Sequence, residues 1–419
     1  MIKQTPTYRW FLVGVLFFAA CLNYADRGAV NSLFPILKDE LGMSEVALAA
    51  TGSVFLWTYA LFSPLAGYLG DQLSRCSLVV WSLTAWSLIT ILTGLALNGS
   101  QILVMRALLG IAECLYVPVS IALIADHHPT STRAKALAIH LCGFYLGVVV
   151  GGTVAGFIGD KYGWRAPLFA LGMTGLALAA FAKITLVDQP PQITFRTTVP
   201  SSGTTSKSLR GALLYPLRIA SYYILTIDAF LIAISTYVLI TWLPLYFNET
   251  FRVSLTESGF HGTFPMQAGN VAGLLLGGYI SDSVARRSSR NRMLIHSICY
   301  FLAAPLLLAF LWVERIPPLV MFIFMFSTVR AIGQSNSNPL LCEIVAEGHR
   351  SAAVGMMNLF TCVAAGLGVL ATGYLKREIS MGTILGSMSV IVLLAGIILL
   401  VGYRCFLSPD LQRLSRSTQ

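Results

Sequence analysis

Apolar and polar residues fall into long blocks along this chain, without the two-residue alternation of strands. About twelve apolar windows, each about 20 residues long and so long enough to span a bilayer as helix, begin near Trp10, Val46, Leu78, Ile102, Ala134, Ala166, Ile219, Gly259, Met293, Leu319, Ala352 and Ile384. The pattern predicts an all-α integral membrane protein. Between the sixth and seventh windows the composition changes: Pro190 and Pro191 precede a P-S-S-G-T-T-S-K-S stretch from Pro200 to Ser208, the makeup of a flexible linker. The expected organisation is a six-helix half over residues 1–187, a central loop over 188–215, and a second six-helix half over 216–419.

Composition supports the membrane assignment. Of 419 residues, 56% are hydrophobic and 11% charged, against about 25% charged in soluble domains. The net charge of +10 needs no nucleic-acid partner, because cytoplasmic loops of membrane proteins are enriched in Lys and Arg. Here the basic residues crowd into one alternating set of loops and tails, at Lys3, Arg9, Arg75, Arg133, Lys135, the central loop, Arg286 to Arg292, Arg350 and Arg404 to Arg416. That bias predicts cytoplasmic termini. No small-residue cleavage site interrupts the first apolar run, which reads as a helix rather than a signal peptide. The eight cysteines form no C-x-x-C pair and read as packing residues. No P-loop or H-E-x-x-H motif occurs, so neither an ATP-driven pump nor an enzyme is expected, and no cofactor.

Charges inside the apolar windows carry the chemistry. The first window holds Asp26 and Arg27, and the fourth holds Arg106 and Glu113. Each charge at a bilayer centre costs about 2.5–3.5 kcal/mol even on a lenient scale, so a compensating use is expected. Arg27 and Arg106 provide permanent positive charge and can grip a carboxylate through two parallel hydrogen bonds. Tyr24 shares a helix face with Arg27, and Tyr59 can add a hydroxyl. Asp26 and Glu113 are the candidate proton acceptors: protonation would free Arg27, Arg106 or both for a substrate anion. The plainer alternative is a structural salt-bridge cluster between the first and fourth helices. In the tenth window Arg330, Gln334 and Asn338 follow a four-residue spacing and predict one polar stripe on the opposing wall, with a kink at Pro339. His140 reads as a hydrogen-bonded packing residue. Asp228 is placed nearer the cytoplasmic end of the seventh helix, as a snorkelling or gate residue.

The two halves repeat each other. Gly67–Asp71 reads G-Y-L-G-D and precedes Arg75, while Gly278–Asp282 reads G-Y-I-S-D and precedes Arg286. Arg106 opens R-A-L-L-G and Arg330 opens R-A-I-G; Arg133 and Arg350 each start the next helix. Parallel repeats of this kind place substrate between the halves near the membrane midplane. The loop from Gly67 to Cys76 resembles the signature of the major facilitator superfamily, with Gly67, Asp71 and Arg75 matching and Gln72 and Ser74 departing. The resemblance covers nearly the whole chain and implies twelve transmembrane helices in two pseudo-symmetric halves. It also implies a gating role for Asp71, Arg75, Arg133, Asp282, Arg286 and Arg350. A narrower resemblance, on N-Y-A-D-R at Asn23 to Arg27, R-x-x-x-G-x-x-E at Arg106 to Glu113, and Trp164-Arg165, is to the anion:cation symporter branch. It implies a monomeric transporter in a bacterial inner membrane that imports a small organic anion, such as a sugar acid, with protons by alternating access. The spinster-like branch, some of whose members move lysolipids, shares nearly the same signature and is the alternative. A sensor or scaffold would need an added soluble domain or long tail.

Overall fold

The structure is a computed structural model that describes residues 5–187, 216–285, 290–346 and 349–410; the expected central loop, 188–215, lies outside them. Local chemistry sets many of the helix boundaries. Helix α1 (Pro6–Ser32) starts where Thr5 Oγ1 accepts the Tyr8 N–H at 3.3 Å, with Pro6 in the first turn. The short α2 (Phe34–Leu41) ends on Gly42 at φ 60°, a left-handed cap that favours glycine. Ser44 and Ser74 cap α3 (Glu45–Gln72) and α4 (Arg75–Gly94). The fourth span comes in two pieces, α5 (Gly99–Glu113) and α6 (Tyr116–His127), broken at Cys114–Leu115. Then come α7 (Thr130–Tyr162) and α8 (Arg165–Thr185).

The second set of helices begins after a 3-10 turn at Pro216–Arg218. It comprises α9 (Ala220–Phe251), α10 (Leu255–Ala285), α11 (Asn291–Ala303) with its 3-10 continuation Ala304–Leu311, α12 (Ile316–Gln334), α13 (Ser337–Ile344), α14 (Arg350–Leu375) and α15 (Met381–Cys405). Among the described residues, 11 helical spans are long and apolar enough to cross a membrane. Helix α10, at 31 residues, is the further long helix; Glu257, His261, Gln267 and Asn270 make it more polar than the rest. Large apolar side chains such as Trp81, Ile184 and Met321 stand exposed, as a lipid-facing surface requires.

Within the first set α1 lies along α7, α4 along α8 and α3 along α5; within the second α10 lies along α12, and α11 and α9 along α15. Two seams join the sets, α7 with α10 and α3 with α14. The seams are tight towards the end of the bundle that carries Lys38. There Val30, Leu33, Phe34 and Leu48 merge into one apolar core with Trp242, Leu243 and Phe247. A separate core, around Leu12, Leu16, Trp86, Tyr116 and Leu123, holds the first set together.

Glycine permits the α7–α10 seam. A Cβ on Gly156 would sit 2.3 Å from the Leu255 carbonyl oxygen, and one on Gly259 would sit 2.2 Å from that of Gly152. Gly156→Val is therefore expected to push the seam apart, at about the 1–3 kcal/mol typical of overpacking. Thiol cross-linking between cysteines placed on α7 and α10 near Leu255 should fall well below that of the Gly156 parent. Unchanged cross-linking would mean that the close approach is not required.

Candidate functional site

Three neighbouring helices build a charged pocket around Arg27. From α1, its Nε donates to Glu113 Oε2 at 2.7 Å, and its Nη2 donates to Asn23 Oδ1 at 3.1 Å. The guanidinium carbon stands 4.4 Å from the ring centroid of Tyr24, 4.8 Å from that of Phe55 and 5.0 Å from that of Tyr59. Cation–π contacts of this kind hold a guanidinium without neutralising it. Glu113 is the last residue of α5, so the helix break exposes it to α1 rather than to its own next turn. It is fully buried, and its Oε1 meets no hydrogen-bond partner among the described residues.

The four membrane charges lie within electrostatic reach of one another, but Arg27–Glu113 is the one ion pair in direct contact among them. Asp26 and Arg27 are adjacent on a helix and so point about 100° apart. Asp26 accepts a hydrogen bond from Thr90 Oγ1 on α4 at 3.1 Å, and its Oδ1 meets no partner. Arg106, 3% exposed, donates from Nε to the Thr51 carbonyl oxygen at 3.3 Å and lies over the Phe55 ring at 4.7 Å. Its Nη1 meets no hydrogen-bond partner among the described residues. Of the two arginines that a protonated carboxyl could free, Arg27 is the one in direct contact, with Glu113. Asp26 is held by a hydroxyl, and Arg106 stands with a carbonyl and a ring. Phe55, Thr51 and Thr90 were not singled out in the sequence, because an aromatic or hydroxyl side chain on an apolar helix is ordinary there.

On the opposing side Arg330 of α12 donates from Nη1 to Gln334 Oε1 at 2.5 Å and from Nη2 to Asn270 Oδ1 at 2.6 Å; Asn270 Nδ2 in turn donates to Gln267 Oε1 at 3.1 Å. Asn338 takes no part in these hydrogen bonds. The helix breaks at Ser335–Asn336, so Asn338 and Pro339 lie in the first turn of α13, where proline is tolerated, and Asn338 is exposed. The break thus precedes the predicted kink. Gln267 and Asn270 were missed, although two amides in an apolar window were a usable signal. Asp228 lies about two turns inside α9, nearer its first end as expected, but at 2% exposure it does not snorkel, and that role is corrected. His140 is packed, with Nε2 3.0 Å from Ser120 Oγ and its ring against Phe144.

The expected gate residues divide differently. Arg75 forms a short ion pair with Asp126 at the end of α6. Arg133 Nε donates to the His128 carbonyl at 3.3 Å, and Arg350 donates to the Cys342 and Val345 carbonyls at 2.7 and 3.2 Å. Each of these contacts stays within one set of helices. The side chains of Asp71 and Asp282, and all of Arg286, lie outside the described residues.

Among the described residues, the ion-pair network that joins the two sets lies at the opposite end. Lys38 meets Glu45 at 2.6 Å and Glu249 at 3.1 Å, and Lys376 meets Glu45 at 2.9 Å and Glu249 at 2.7 Å. Each set supplies one ammonium and one carboxylate. Burial pulls the Lys38 ammonium down, but Glu45 and Glu249 more than offset it and leave its pKa raised. At the same end Asp160 of α7 accepts the Leu255 and Thr256 N–H groups, at 3.0 and 2.9 Å, and so caps α10. Ser53 Oγ donates to the Gly366 carbonyl at 2.7 Å and Trp57 Nε1 to that of Val363 at 3.3 Å.

Membrane-length helices that enclose an arginine–carboxylate pair, face a second arginine wall and seal together at one end define a multi-pass membrane transporter, not an enzyme. The model of the Major Facilitator Superfamily matches residues 16–369 and, in a second match, 229–416. The chain belongs to that superfamily. It is 26% identical over 315 residues to the Bacillus subtilis protein called "Probable galactarate/D-glucarate transporter GudP", covering 68% of this chain and 67% of that one. It is 27% identical over 389 residues to rice "Probable anion transporter 4, chloroplastic", covering 90% of this chain but only 65% of the rice protein. The crystal structure of a bacterial homologue of the human lysosomal transporter Spinster, inward-facing and unoccupied, superposes with a TM-score of 0.80 at 18% identity, over 97% of this chain and 99% of that one.

Proposed function

We propose that this protein imports a small organic carboxylate, such as a sugar acid, together with protons by alternating access. The observation that carries the reading is the Arg27–Glu113 pair beside a buried Arg106 that, among the described residues, no carboxylate touches. A fixed positive charge that is neutralised by an internal carboxylate is a switch: a proton on Glu113 releases Arg27, and a substrate carboxylate takes its place between Arg27 and Arg106. Removing one partner of a buried pair is costly unless another anion replaces it, which links the proton to the cargo. Arg330, Gln334, Asn270 and Asn338 serve as the opposing contacts, and Asp26 as an auxiliary proton acceptor. The names of the bacterial and rice relatives support an anionic cargo, and galactarate and D-glucarate are this reading's first candidates.

With the termini in the cytoplasm, as the Lys and Arg bias favours, the Lys38 end is the outer mouth. That mouth is shut in this structure, so the conformation is inward-facing. Arg75 and Arg350, with Asp126 and Arg133, then line the inner mouth. A bacterial inner membrane and a monomer fit this reading.

A lysophospholipid or related amphiphile is the second reading. One observation favours it: a cavity of about 440 Å³ beside α9 and α14, lined by Leu217, Tyr222, Tyr223, Thr226, Ile227, Phe230, Leu231 and Phe360. It contains none of the charged residues above, and this separation from the arginines is why the carboxylate reading is preferred. Uptake into proteoliposomes of sugar acids, other carboxylates and lysophospholipids, each with and without an inward proton gradient, separates the two. Saturable carboxylate uptake that the gradient drives and a protonophore collapses is expected. Lysophospholipid flux without carboxylate flux would transfer the assignment to the second reading.

A further inference from the structure

The second set of helices buries ionisable groups to which carboxylate binding gives no task. Asp228 on α9 is 2% exposed, and His296 on α11 is fully buried. His296 Nε2 lies 3.7 Å from Asp228 Oδ2. Tyr300, one turn on from His296, meets its ring edge-on at 4.7 Å between centroids, and its hydroxyl faces Asp228. Arg330 of α12 faces Asp228, His296 and Tyr300 from the third side, and Tyr145 of α7 faces Arg330. These are the titratable and charged groups that meet the pair from the elements around it.

The cluster is incompletely bonded. Asp228 Oδ1, both ring nitrogens of His296 and Arg330 Nε have no hydrogen-bond partner among the described residues. A purely structural polar cluster closes such bonds, because each buried open one costs about 1–3 kcal/mol. Neutral His296 can turn its one N–H toward Asp228 Oδ2 across the 3.7 Å separation; a proton added to the pair neutralises the carboxylate and supplies a second donor.

From this geometry we infer that Asp228 and His296 form a second proton-exchange site, in the half opposite Glu113, that controls Arg330. With the proton absent, the Asp228 carboxylate competes for Arg330 with Asn270 and Gln334. With the proton bound, Arg330 is left to the two amides, and Gln334 is exposed at the helix break. The proton comes from water and returns to water; no bond other than O–H or N–H forms or breaks. The link to cargo rests on the carboxylate reading, but the site itself does not.

The test uses Asp228→Asn and His296→Gln in the full chain. Infrared difference spectra between acid and alkaline pH are expected to show a protonated carboxyl band that Glu113→Gln leaves in place and Asp228→Asn removes. Should Asp228→Asn fail to fold, His296→Gln decides by shifting that band. In proteoliposomes both variants are expected to carry one proton fewer per substrate while keeping substrate-for-substrate counterflow near wild type. A band and a proton count unchanged in both variants would overturn the inference. If the wild-type protein moves no carboxylate, the proposed function fails, yet the infrared band still decides this site.

Discussion

Glu113→Gln is expected to abolish uphill uptake of the carboxylate and to leave exchange of internal for external substrate intact. Gln keeps the shape of Glu and can still accept a hydrogen bond from Arg27, but it never carries the charge that the 2.7 Å contact now neutralises. Arg27 would then be held by Asn23 and the rings of Tyr24, Phe55 and Tyr59 alone. Substrate anion should bind at least as well as in the wild type, because it no longer displaces an internal carboxylate. What disappears is the dependence on protons. Arg106→Gln is expected to do the reverse: a hydrogen bond to a charged group is worth about 1.5–3 kcal/mol, so apparent affinity should fall roughly 10- to 150-fold while coupling survives. Asp26→Asn should have a smaller effect than Glu113→Gln, since Thr90 and not an arginine holds it. Uptake with and without a proton gradient, beside counterflow, reads all three. An Asp26→Asn, Glu113→Gln double variant with wild-type uptake and pH dependence would end the coupling argument.

Neutralising Glu45 and Glu249 together is expected to open the Lys38 end. The four charges alternate in sign, and each carboxylate touches both ammoniums, at 2.6 to 3.1 Å. Single exposed pairs are worth about 0.2–1 kcal/mol, and the 40% exposure of Lys38 and 34% exposure of Glu249 place their contact in that class. Lys376 at 10% and Glu45 at 15% are better shielded from water. The double Gln variant loses the attractions and leaves two ammoniums facing each other. A shift of about 1–3 kcal/mol, or roughly 5- to 150-fold in the ratio of states, is expected. Spin-label distances between the Lys38 ends of α3 and α14 should lengthen, and high salt should move the wild type the same way. The pH dependence has a definite sign. Because the pKa of Lys38 is raised, its contribution is complete below the ordinary lysine value of about 10.4 and fades only as pH rises beyond it. Distances that ignore both salt and the double substitution would show that the charges do not hold this end.

The membrane charges in helices one and four were legible because hydrocarbon makes each of them expensive; what they touch was not. Asp26 and Arg27 look like partners when written side by side, yet one residue of helix turns them to different neighbours. The Lys38–Glu45–Glu249–Lys376 set was invisible for the opposite reason. Charges at helix ends are ordinary in sequence, and Glu45 and Lys376 lie 331 residues apart. Gln334 and Asn338 follow a helical spacing, but the spacing rule assumes an unbroken helix, and Ser335–Asn336 interrupts it. The depth of Asp228 along α9 follows from its window, which starts near Ile219, but its burial does not, because that depends on His296 of a different helix. The twelve-window layout, by contrast, depends on length and apolarity alone and needs no partner to be known.

The cap on α10 bears on how readily the protein changes shape. Its first turn borrows Asp160 from the other set of helices, but it also owns a reciprocal pair: the Glu257 N–H donates to Ser254 Oγ at 3.2 Å, and the Ser254 N–H donates to Glu257 Oε2 at 3.3 Å. Parting the seam therefore hands two amides from a carboxylate to water while the local pair keeps the turn wound. Such an exchange is nearly even, so the barrier to swinging open comes from sliding close-packed backbones rather than from unravelling, and the carrier can cycle without melting a helix.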